Sequence, residues 1–260
     1  MFPKRKTLIF QDSFQLTNFL IKKWKEIANE SISKNNRFVA ALSGGKTPVE
    51  FYCRLSGIND FDIWQKTHIF LTDERYVPYD DPRSNLGMIR KNILDYISIP
   101  DENIHPMGTY NSDINLSCEL YENHIRQFFE LEDRCVPSFD FVLLGIGDDG
   151  HVASLFPWGK EVHEIDDLVT FSQPEYLDTK RMSMTLAVIN NARHVVVLVT
   201  GNKKAEIIKK VIEEKEENSF LPATKVAPRN GELLFLLDNP AASKLSYGER
   251  FSHDGQAISI

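Results

Sequence analysis

Cysteine is scarce in this sequence of 260 residues, and long apolar runs are missing from it. The three cysteines are odd in number and form no CxxC pair, which favours reduced structural thiols in a cytosolic protein over a disulfide framework. No apolar run reaches the length of a membrane span, and the run at residues 7–10 is too short for a signal peptide. We therefore expect a cytoplasmic protein without membrane association.

Basic residues are outnumbered by acidic ones. The chain has 30 lysines and arginines against 37 aspartates and glutamates, a formal net charge of −7. This balance argues against general nucleic-acid binding. It allows an anionic small molecule as a partner, provided that basic groups are concentrated at its site. No segment of the sequence points to an obligate protein partner.

Short apolar runs alternate with amphipathic segments along the chain. Strands are predicted at residues 7–10, 37–42, 68–71, 139–144, 168–171, 182–186, 194–200 and 233–237. Helices are predicted at residues 12–30, from 48 onward with Thr47 as cap, and at 84–94, 115–130, 203–214 and 239–242.

This alternation predicts the fold. Several strands are continuously apolar, which is typical of strands buried on both faces of a parallel sheet. We expect an α/β protein with a three-layer, Rossmann-like fold, in which helices flank a mostly parallel central sheet on both faces. Residues 1–260 are predicted to form a single domain, with residues 249–260 as a loosely held tail.

The first candidate site follows the predicted strand 37–42 and has the sequence SGGKTP at residues 43–48. A strand, a glycine turn and a helix start together form an anion site, because free backbone N–H groups point outward there. Lys46 adds a positive charge, and phosphate binding is favoured over a plain tight turn. A Walker A motif is excluded, since Ala40 stands where that motif needs its first glycine.

The second candidate site is the charged segment TDER at residues 72–75, at the carboxyl end of the predicted strand 68–71. Charged residues in that position can belong to a ligand site. They can equally form a solvated turn with a local ion pair, and both interpretations stay open.

The third candidate site has the sequence FDFVLLGIGDDGHVASLFP at residues 139–157. An apolar run of strand length ends there in three glycines, two acids and His151. Glycines let the backbone turn sharply and approach a ligand closely, and ligands of α/β sheets bind beyond the carboxyl ends of the strands. Because a histidine can move protons near neutral pH, this segment is predicted to be an active-site loop.

Other chemistries fit the third segment less well. Its GIGDDG sequence matches the dinucleotide fingerprint GxGxxG, but Pro157 would stop a helix that begins at His151 within two turns. HxxxH, HExxH and GxSxG motifs are all missing, and Asp149 with His151 offers only two metal ligands. What remains is a site without metal or cofactor, with His151 as general base and Asp149 or Asp73 orienting it.

The three segments together resemble the 6-phosphogluconolactonases, within the wider group that includes the glucosamine-6-phosphate deaminases. The matching segments occur in the family's order across nearly the whole chain, at residues 43–48, 72–75 with 84–85, 144–157, 181–185 and 221–223. The resemblance implies hydrolysis of 6-phospho-D-glucono-1,5-lactone to 6-phospho-D-gluconate in the oxidative pentose phosphate pathway. It implies no metal and no cofactor, with His151 activating a water molecule.

The resemblance also implies the residues of the site. It implies that His151 and Asp149 are the catalytic residues. The substrate-binding residues that it implies are Ser43, Gly44, Gly45, Lys46, Asp73, Arg75, Asn85, Gly147, Arg181 and Lys225.

Phe156 separates two activities within the group. The deaminases end the corresponding segment with Asn-Glu-Pro, whose Glu serves the catalytic histidine, whereas this chain has Leu155, Phe156 and Pro157. A phenyl ring can neither polarise an imidazole nor carry a proton, which favours the lactonase. An amino-sugar-phosphate deaminase or isomerase and a catalytically silent sugar-phosphate-binding protein remain as alternatives.

Overall fold

The computed structural model describes residues 4–57, 61–213, 220–246, 249–251 and 257–258. The strands are β1 (Lys4–Phe10), β2 (Phe38–Leu42), β3 (Thr67–Leu71), β4 (Asp73–Arg75), β5 (Ile104–His105), β6 (Phe141–Leu144), β7 (Val169–Ser172), β8 (Arg181–Met184), β9 (His194–Val199), β10 (Glu232–Asp238), β11 (Glu249–Phe251) and β12 (Ala257–Ile258). The helices are α1 (Ser13–Asn35), α2 (Val49–Leu55), α3 (Phe61–Gln65), α4 (Asn85–Asn92), α5 (Ile114–Phe128), α6 (Leu186–Ile189) and α7 (Ala205–Glu213).

The main sheet has the strand order β12-β11-β1-β10-β9-β6-β2-β3-β5. Its pairings are parallel throughout, except that β12 runs antiparallel to β11. Every residue of β2 and β6 is buried. Because successive side chains of a strand point to opposite faces, both faces of the sheet are covered there. The predicted α/β, Rossmann-like fold with a mostly parallel sheet is confirmed.

The order of the strands marks where a ligand would bind. From β2 the chain adds β3 and β5 on one side, and from β6 it adds β9 and β10 on the other. The direction of winding therefore reverses between β2 and β6. In open α/β sheets, the crevice beyond the carboxyl ends of the strands at such a reversal is the usual ligand site.

Trp24 of α1 anchors the helix on this part of the sheet. Its ring packs edge-on against Phe38 of β2 and Phe141 of β6, with centroids 4.8 and 5.1 Å away. The Asp12 carboxylate caps the helix start by accepting a hydrogen bond from the Gln15 N–H, and Asn36 ends the helix in a left-handed conformation. Truncating such a buried indole typically costs about 3–5 kcal/mol of stability.

A second sheet of three antiparallel strands, β4-β8-β7, was not predicted. Residues 73–75 belong to it as β4, and Asp73 and Glu74 are buried, so the interpretation of this segment as a solvated turn is wrong. The strand direction changes at Thr72, whose N–H donates to Leu42 and whose carbonyl accepts from Met184. Thr72 thereby ties the small sheet to the carboxyl end of β2.

Two predicted helix starts are corrected by the structure. Helix α2 begins at Val49 after Pro48, and no described side chain caps it; the Val49 N–H donates to the Lys46 carbonyl. The predicted cap by Thr47 is therefore wrong. Residues 239–242 form a single turn that does not continue as a helix, and the Asp238 carboxylate and carbonyl accept from the N–H groups of Ala241 and Ala242 there.

The described part of residues 249–260, predicted as a loosely held tail, contains two short strands. Strand β11 pairs with β1 in parallel, and β12 pairs with β11. The physical reason is that β1 would otherwise present a row of unpaired backbone N–H and C=O groups at a sheet edge. Residues 252–256 and 259–260 lie outside the described part.

Strand β1, from the start of the sequence, lies between β10 and β11, from its end. Both ends of the sequence thus contribute to one sheet, and from this we infer that residues 1–260 form a single domain. Among the helices that the structure describes, none has the length and apolar character needed to cross a membrane.

Candidate active site

A cleft of about 630 Å³ opens beyond the carboxyl ends of β2, β6 and β9, at the reversal of strand order. The loops that follow these three strands form its walls, and the small sheet contributes residues of β4 and β8. Its lining residues are Ser43, Gly44, Gly45, Lys46, Thr47, Pro48, Asp73, Arg75, Asn85, Gly145, Ile146, Gly147, Asp148, His151, Ala153, Arg181, Thr200, Gly201, Asn202, Lys203 and Lys204.

Most of the predicted site residues meet in this cleft. Those that line it are Ser43, Gly44, Gly45, Lys46, Asp73, Arg75, Asn85, Gly147, His151 and Arg181. Asp149 does not line it but contacts His151 directly. Lys225 is not among the lining residues; it lies in a short 3-10 turn, where its carbonyl accepts a hydrogen bond from the Asn190 side chain.

His151 is held by the aspartate two residues before it. Its Nδ1 atom lies 2.6 Å from Asp149 Oδ1, which also accepts a 3.1 Å hydrogen bond from the His151 backbone N–H. The turn is closed by the Gly147 N–H, which donates to the His151 carbonyl at 2.9 Å. The side chain of His151 keeps 27% of its surface exposed, so a small molecule in the cleft can reach it.

The charge of Asp149 decides which ring nitrogen of His151 is free. Burial alone would raise the pKa of Asp149, but hydrogen bonds from His151 and Tyr176 outweigh it and hold the pKa well below its ordinary value. An ionised carboxylate only accepts hydrogen bonds, so Nδ1 of His151 must carry a proton. In the neutral imidazole, Nε2 then keeps its lone pair and can act as a base.

Phe156 fixes the imidazole from one side. Its ring lies 4.6 Å from the His151 ring, centroid to centroid, at an interplanar angle of 47°. The Arg181 guanidinium lies 5.6 Å from the same phenyl ring, at cation–π distance. Phe156 thus contacts both the base and one of the cations of the cleft.

Two glycines are needed because side chains pass where a Cβ atom would be. A Cβ on Gly147 would lie 2.1 Å from Nδ1 of His151 and 2.6 Å from Asp149 Oδ1. A Cβ on Gly44 would lie 1.8 Å from Oδ1 of Asn85, whose amide in turn donates to the Asp73 carbonyl at 2.9 Å. Any larger residue at either position would displace the side chains that form the cleft.

Arg75 and Arg181 face each other across the small sheet. They are directly paired in the antiparallel register of β4 and β8, and both line the cleft. Burial, followed by the charge of Arg75, lowers the pKa of Arg181. Like charges at directly opposite positions destabilise a sheet. Such a pair is therefore suited to an anion that neutralises both guanidinium groups.

Three buried polar atoms of the cleft residues lack a hydrogen-bond partner within the described structure. They are Ser43 Oγ, Arg75 Nε and Arg181 Nε. An unsatisfied buried donor normally costs about 1–3 kcal/mol, so native proteins rarely keep one without a reason. All three can donate to phosphate or hydroxyl oxygens of a bound ligand.

Two buried carboxylates, those of Asp73 and Glu74, connect β4 to the neighbouring segments beside the cleft. Asp73, only 4% exposed, accepts a 2.8 Å hydrogen bond from Ser154 Oγ and thereby ties β4 to the loop of His151. Glu74 accepts hydrogen bonds from the N–H groups of Asn85 and Leu86 at the start of α4. Burial raises the pKa of Glu74, although these hydrogen bonds oppose the rise.

The loop after β9 also lines the cleft, which was not predicted from the sequence. Lys204 of this loop donates to the Ile146 carbonyl at 2.8 Å and pairs with the Asp148 carboxylate, which joins the loop to that of His151. Gly201 has a φ of +92°, a conformation that favours glycine. The available signal was the Gly201-Asn202 pair directly after a buried strand, the same pattern that marked the other two loops.

Comparison with known proteins gives the chain a family. The model of the glucosamine-6-phosphate isomerases/6-phosphogluconolactonase family matches residues 11–235. The chain belongs to this family. The resemblance found in the sequence motifs is therefore confirmed over most of the chain.

Individual members of the family are similar over most of their length. A 6-phosphogluconolactonase of Synechocystis sp. is 39% identical over 216 residues, which cover 83% of this chain and 88% of that protein. One of Chlamydia pneumoniae is 36% identical over 221 residues, covering 83% and 81%. The structure of 6-phosphogluconolactonase from Trypanosoma brucei matches with a TM-score of 0.84 at 30% identity, covering 95% of this chain and 100% of that one.

Proposed function

We propose that this protein hydrolyses 6-phospho-D-glucono-1,5-lactone to 6-phospho-D-gluconate, a step of the oxidative pentose phosphate pathway. The observation that carries the proposal is the cleft itself, which combines a histidine held by an ionised carboxylate with two half-buried arginines whose buried Nε donors have no partner among the described residues. The lactonase names of the relatives from Synechocystis sp. and Chlamydia pneumoniae support the same substrate.

His151 is the general base. Its Nε2 atom takes a proton from a water molecule while the water oxygen bonds to the lactone carbonyl carbon. The bond between that carbon and the ring oxygen then breaks, and the proton passes from the imidazolium to the ring oxygen, which becomes a hydroxyl. A positioned base of this kind typically contributes about 10²–10⁴ in rate. Because a δ-lactone is a reactive ester, the proposal needs neither a covalent nucleophile nor a metal ion.

The phosphate and the developing oxyanion use different donors. Arg75 and Arg181, with Ser43, bind the phosphate and sugar oxygens through the atoms that lack partners. The N–H groups of Gly147 and Gly150 are already bonded to backbone carbonyls, so they are not free to stabilise an oxyanion. The loop of Gly44 and Gly45 remains as the source of backbone donors for negative charge.

Phe156 favours hydrolysis over deamination. Its ring lies next to His151, at the sequence position where the deaminases of the group have a glutamate, and it offers the imidazole no proton acceptor. The ring-opening and amine-release steps of a deaminase would lack that group. Asp149 is the carboxylate that contacts the imidazole among the described residues.

The cytoplasm is the compartment that we propose. Cys53, Cys118 and Cys135 are all free thiols, and two of them are exposed. Free exposed thiols are typical of a reducing compartment.

The experiment is a coupled assay on freshly generated lactone. Dehydrogenation of glucose 6-phosphate supplies the lactone, and a second dehydrogenase detects 6-phosphogluconate, after correction for spontaneous hydrolysis. We expect the protein to accelerate product formation, and to act much more slowly on the lactone without a phosphate group. Binding of 6-phosphogluconate without turnover, or release of ammonia from glucosamine 6-phosphate, would contradict the proposal.

A further inference from the structure

Tyr176 contacts the catalytic pair from a loop that the sequence analysis did not assign to the site. It lies in the loop 173–180 between β7 and β8, and its hydroxyl donates a 3.0 Å hydrogen bond to Asp149 Oδ2. Its ring lies 6.3 Å from that of Phe156, edge to face. The residue is 68% exposed, so its hydrogen bond to Asp149 fixes its position more specifically than packing does.

The two oxygens of Asp149 are divided between two partners. Oδ1 accepts from Nδ1 and from the backbone N–H of His151, and Oδ2 accepts from Tyr176. A carboxylate held at one oxygen only can rotate about its Cβ–Cγ bond. Held at both oxygens, it presents Oδ1 to the imidazole in a fixed direction.

The loop of Tyr176 is itself fastened to the arginine side of the cleft. Asp178 accepts a 3.0 Å hydrogen bond from Arg83, and the carbonyl of Arg83 accepts one of 2.8 Å from the Arg75 guanidinium. Lys180 accepts from the Tyr76 N–H, and the next residue is Arg181. The loop thus connects the segment that positions the two arginines with the carboxylate that positions the base.

We propose that Tyr176 is a positioning residue for His151, acting through the Asp149 carboxylate. This inference rests on the proposed function, because the role that it assigns is to hold the general base of lactone hydrolysis. Tyr176 is suited to it as a permanent donor. Partial burial, its hydrogen bond to Asp149 and the charge of that carboxylate all raise its pKa, so the hydroxyl stays protonated where the enzyme works.

If Tyr176 positions the Asp149 carboxylate, loss of its hydroxyl should have effects that a change in packing alone would not produce. Without the hydroxyl, the carboxylate can turn away from the imidazole, so fewer molecules have the base correctly placed and kcat falls. A carboxylate that has turned away also stabilises the protonated imidazole less. The acid limb of the pH–rate profile should therefore move to lower pH.

The test is Tyr176→Phe, which removes one hydroxyl from an exposed side chain. We expect kcat to fall about threefold to tenfold with KM unchanged, as is typical when a hydrogen bond to a charged, base-orienting group is lost. The acid limb should shift to lower pH as well. Tyr110→Phe is the matched control, since Tyr110 is 81% exposed and does not line the cleft, and it should leave both quantities unchanged.

Unchanged kcat and pH profile in Tyr176→Phe would overturn the inference. A raised KM with normal kcat would also overturn it, because Tyr176 would then be a substrate contact. A second readout needs no substrate: the proton resonance of Nδ1–H in His151, assigned by its loss in His151→Gln. We expect it to broaden in Tyr176→Phe, and an unchanged line would refute the role. Failure of the wild-type protein to hydrolyse the lactone would instead overturn the proposed function, and the resonance would still decide the question of Tyr176.

Discussion

Arg75 and Arg181 stand directly opposite each other on two paired strands, although their like charges repel. Asp73 also lines the cleft, but its carboxylate accepts hydrogen bonds from Thr72 and Ser154. The charge of Asp73 offsets part of the repulsion between the guanidinium groups, and a ligand can relieve the rest. In the function that we propose, a phosphate group that bridges both arginines does so.

Removing one arginine of this pair should weaken substrate binding. For Arg181→Ala we expect KM for the phosphorylated lactone to rise by about 10- to 100-fold, since hydrogen bonds to charged groups are worth about 1.5–3 kcal/mol. Inorganic phosphate should raise the melting temperature of the wild-type protein but not of this variant. Arg90→Ala, which changes an exposed arginine paired with Asp95, is the control and should behave like wild type. If phosphate raised the melting temperature equally in all three proteins, phosphate binding at this arginine pair would be contradicted.

Asp149→Asn tests how the base is oriented. The amide has nearly the shape of the carboxylate but can donate to Nδ1 of His151, which would leave Nε2 protonated and unable to accept a proton from water. We expect kcat to fall by about 10²–10⁴, as in other histidine–carboxylate pairs, with little change in KM. Because the pKa of Asp149 lies well below its ordinary value, the wild-type rate should show no inflection from this group above about pH 4. Near-normal turnover by the variant would show that His151 is oriented by another group.

A chain of three histidines outside the cleft should make stability depend on pH. His105 lies between His68 and His124, at 3.2 and 2.8 Å, and stacks on Phe70. Burial lowers the pKa of His68 to about 4, and burial with the neighbouring histidines lowers that of His105 to about 3. The folded pKa values lie below the unfolded value, so this stability is fully present above about pH 6.5 and is lost as the pH falls toward 4.

Urea unfolding at pH 7 and pH 5 would measure this effect. The low pKa of His105 alone should lower the free energy of unfolding of the wild-type protein by about 2 kcal/mol when the pH falls from 7 to 5. His105→Gln should lose correspondingly less over the same interval, whereas His163→Gln, at an exposed position, should follow the wild type. Parallel losses in all three proteins would mean that the histidine chain does not sense pH.

The sequence was sufficient for the parts of the site that are local. Each of the loops of Gly44 and His151 follows a continuously apolar strand, and parallel strands bring such loops to one edge of the sheet. The three-residue strand β4 could not be predicted in the same way, although a strand was predicted at 182–186, where β8 lies. All residues of β4 are charged, and their burial depends on pairing between positions about a hundred residues apart.

Contacts between distant loops could not be predicted from the sequence either. Tyr176 contacts Asp149 and Lys204 contacts Asp148, and the spacing of residues in the sequence does not indicate which way these side chains point. Lys225 was assigned to the site by resemblance, but it is not among the residues that line the cleft, and its carbonyl accepts a hydrogen bond from the Asn190 side chain. Phe156 was identified from the sequence because its chemical type alone excludes a proton acceptor.

His151→Gln, assayed on freshly generated 6-phospho-D-glucono-1,5-lactone beside the wild-type protein, tests the central claim most directly. Glutamine keeps a polar side chain of similar reach but cannot take a proton from water. With His151 as the general base, we predict rapid hydrolysis by the wild type and a kcat lower by about 10²–10⁴ in the variant, with binding of 6-phosphogluconate retained. Hydrolysis by the variant at nearly the wild-type rate would contradict it.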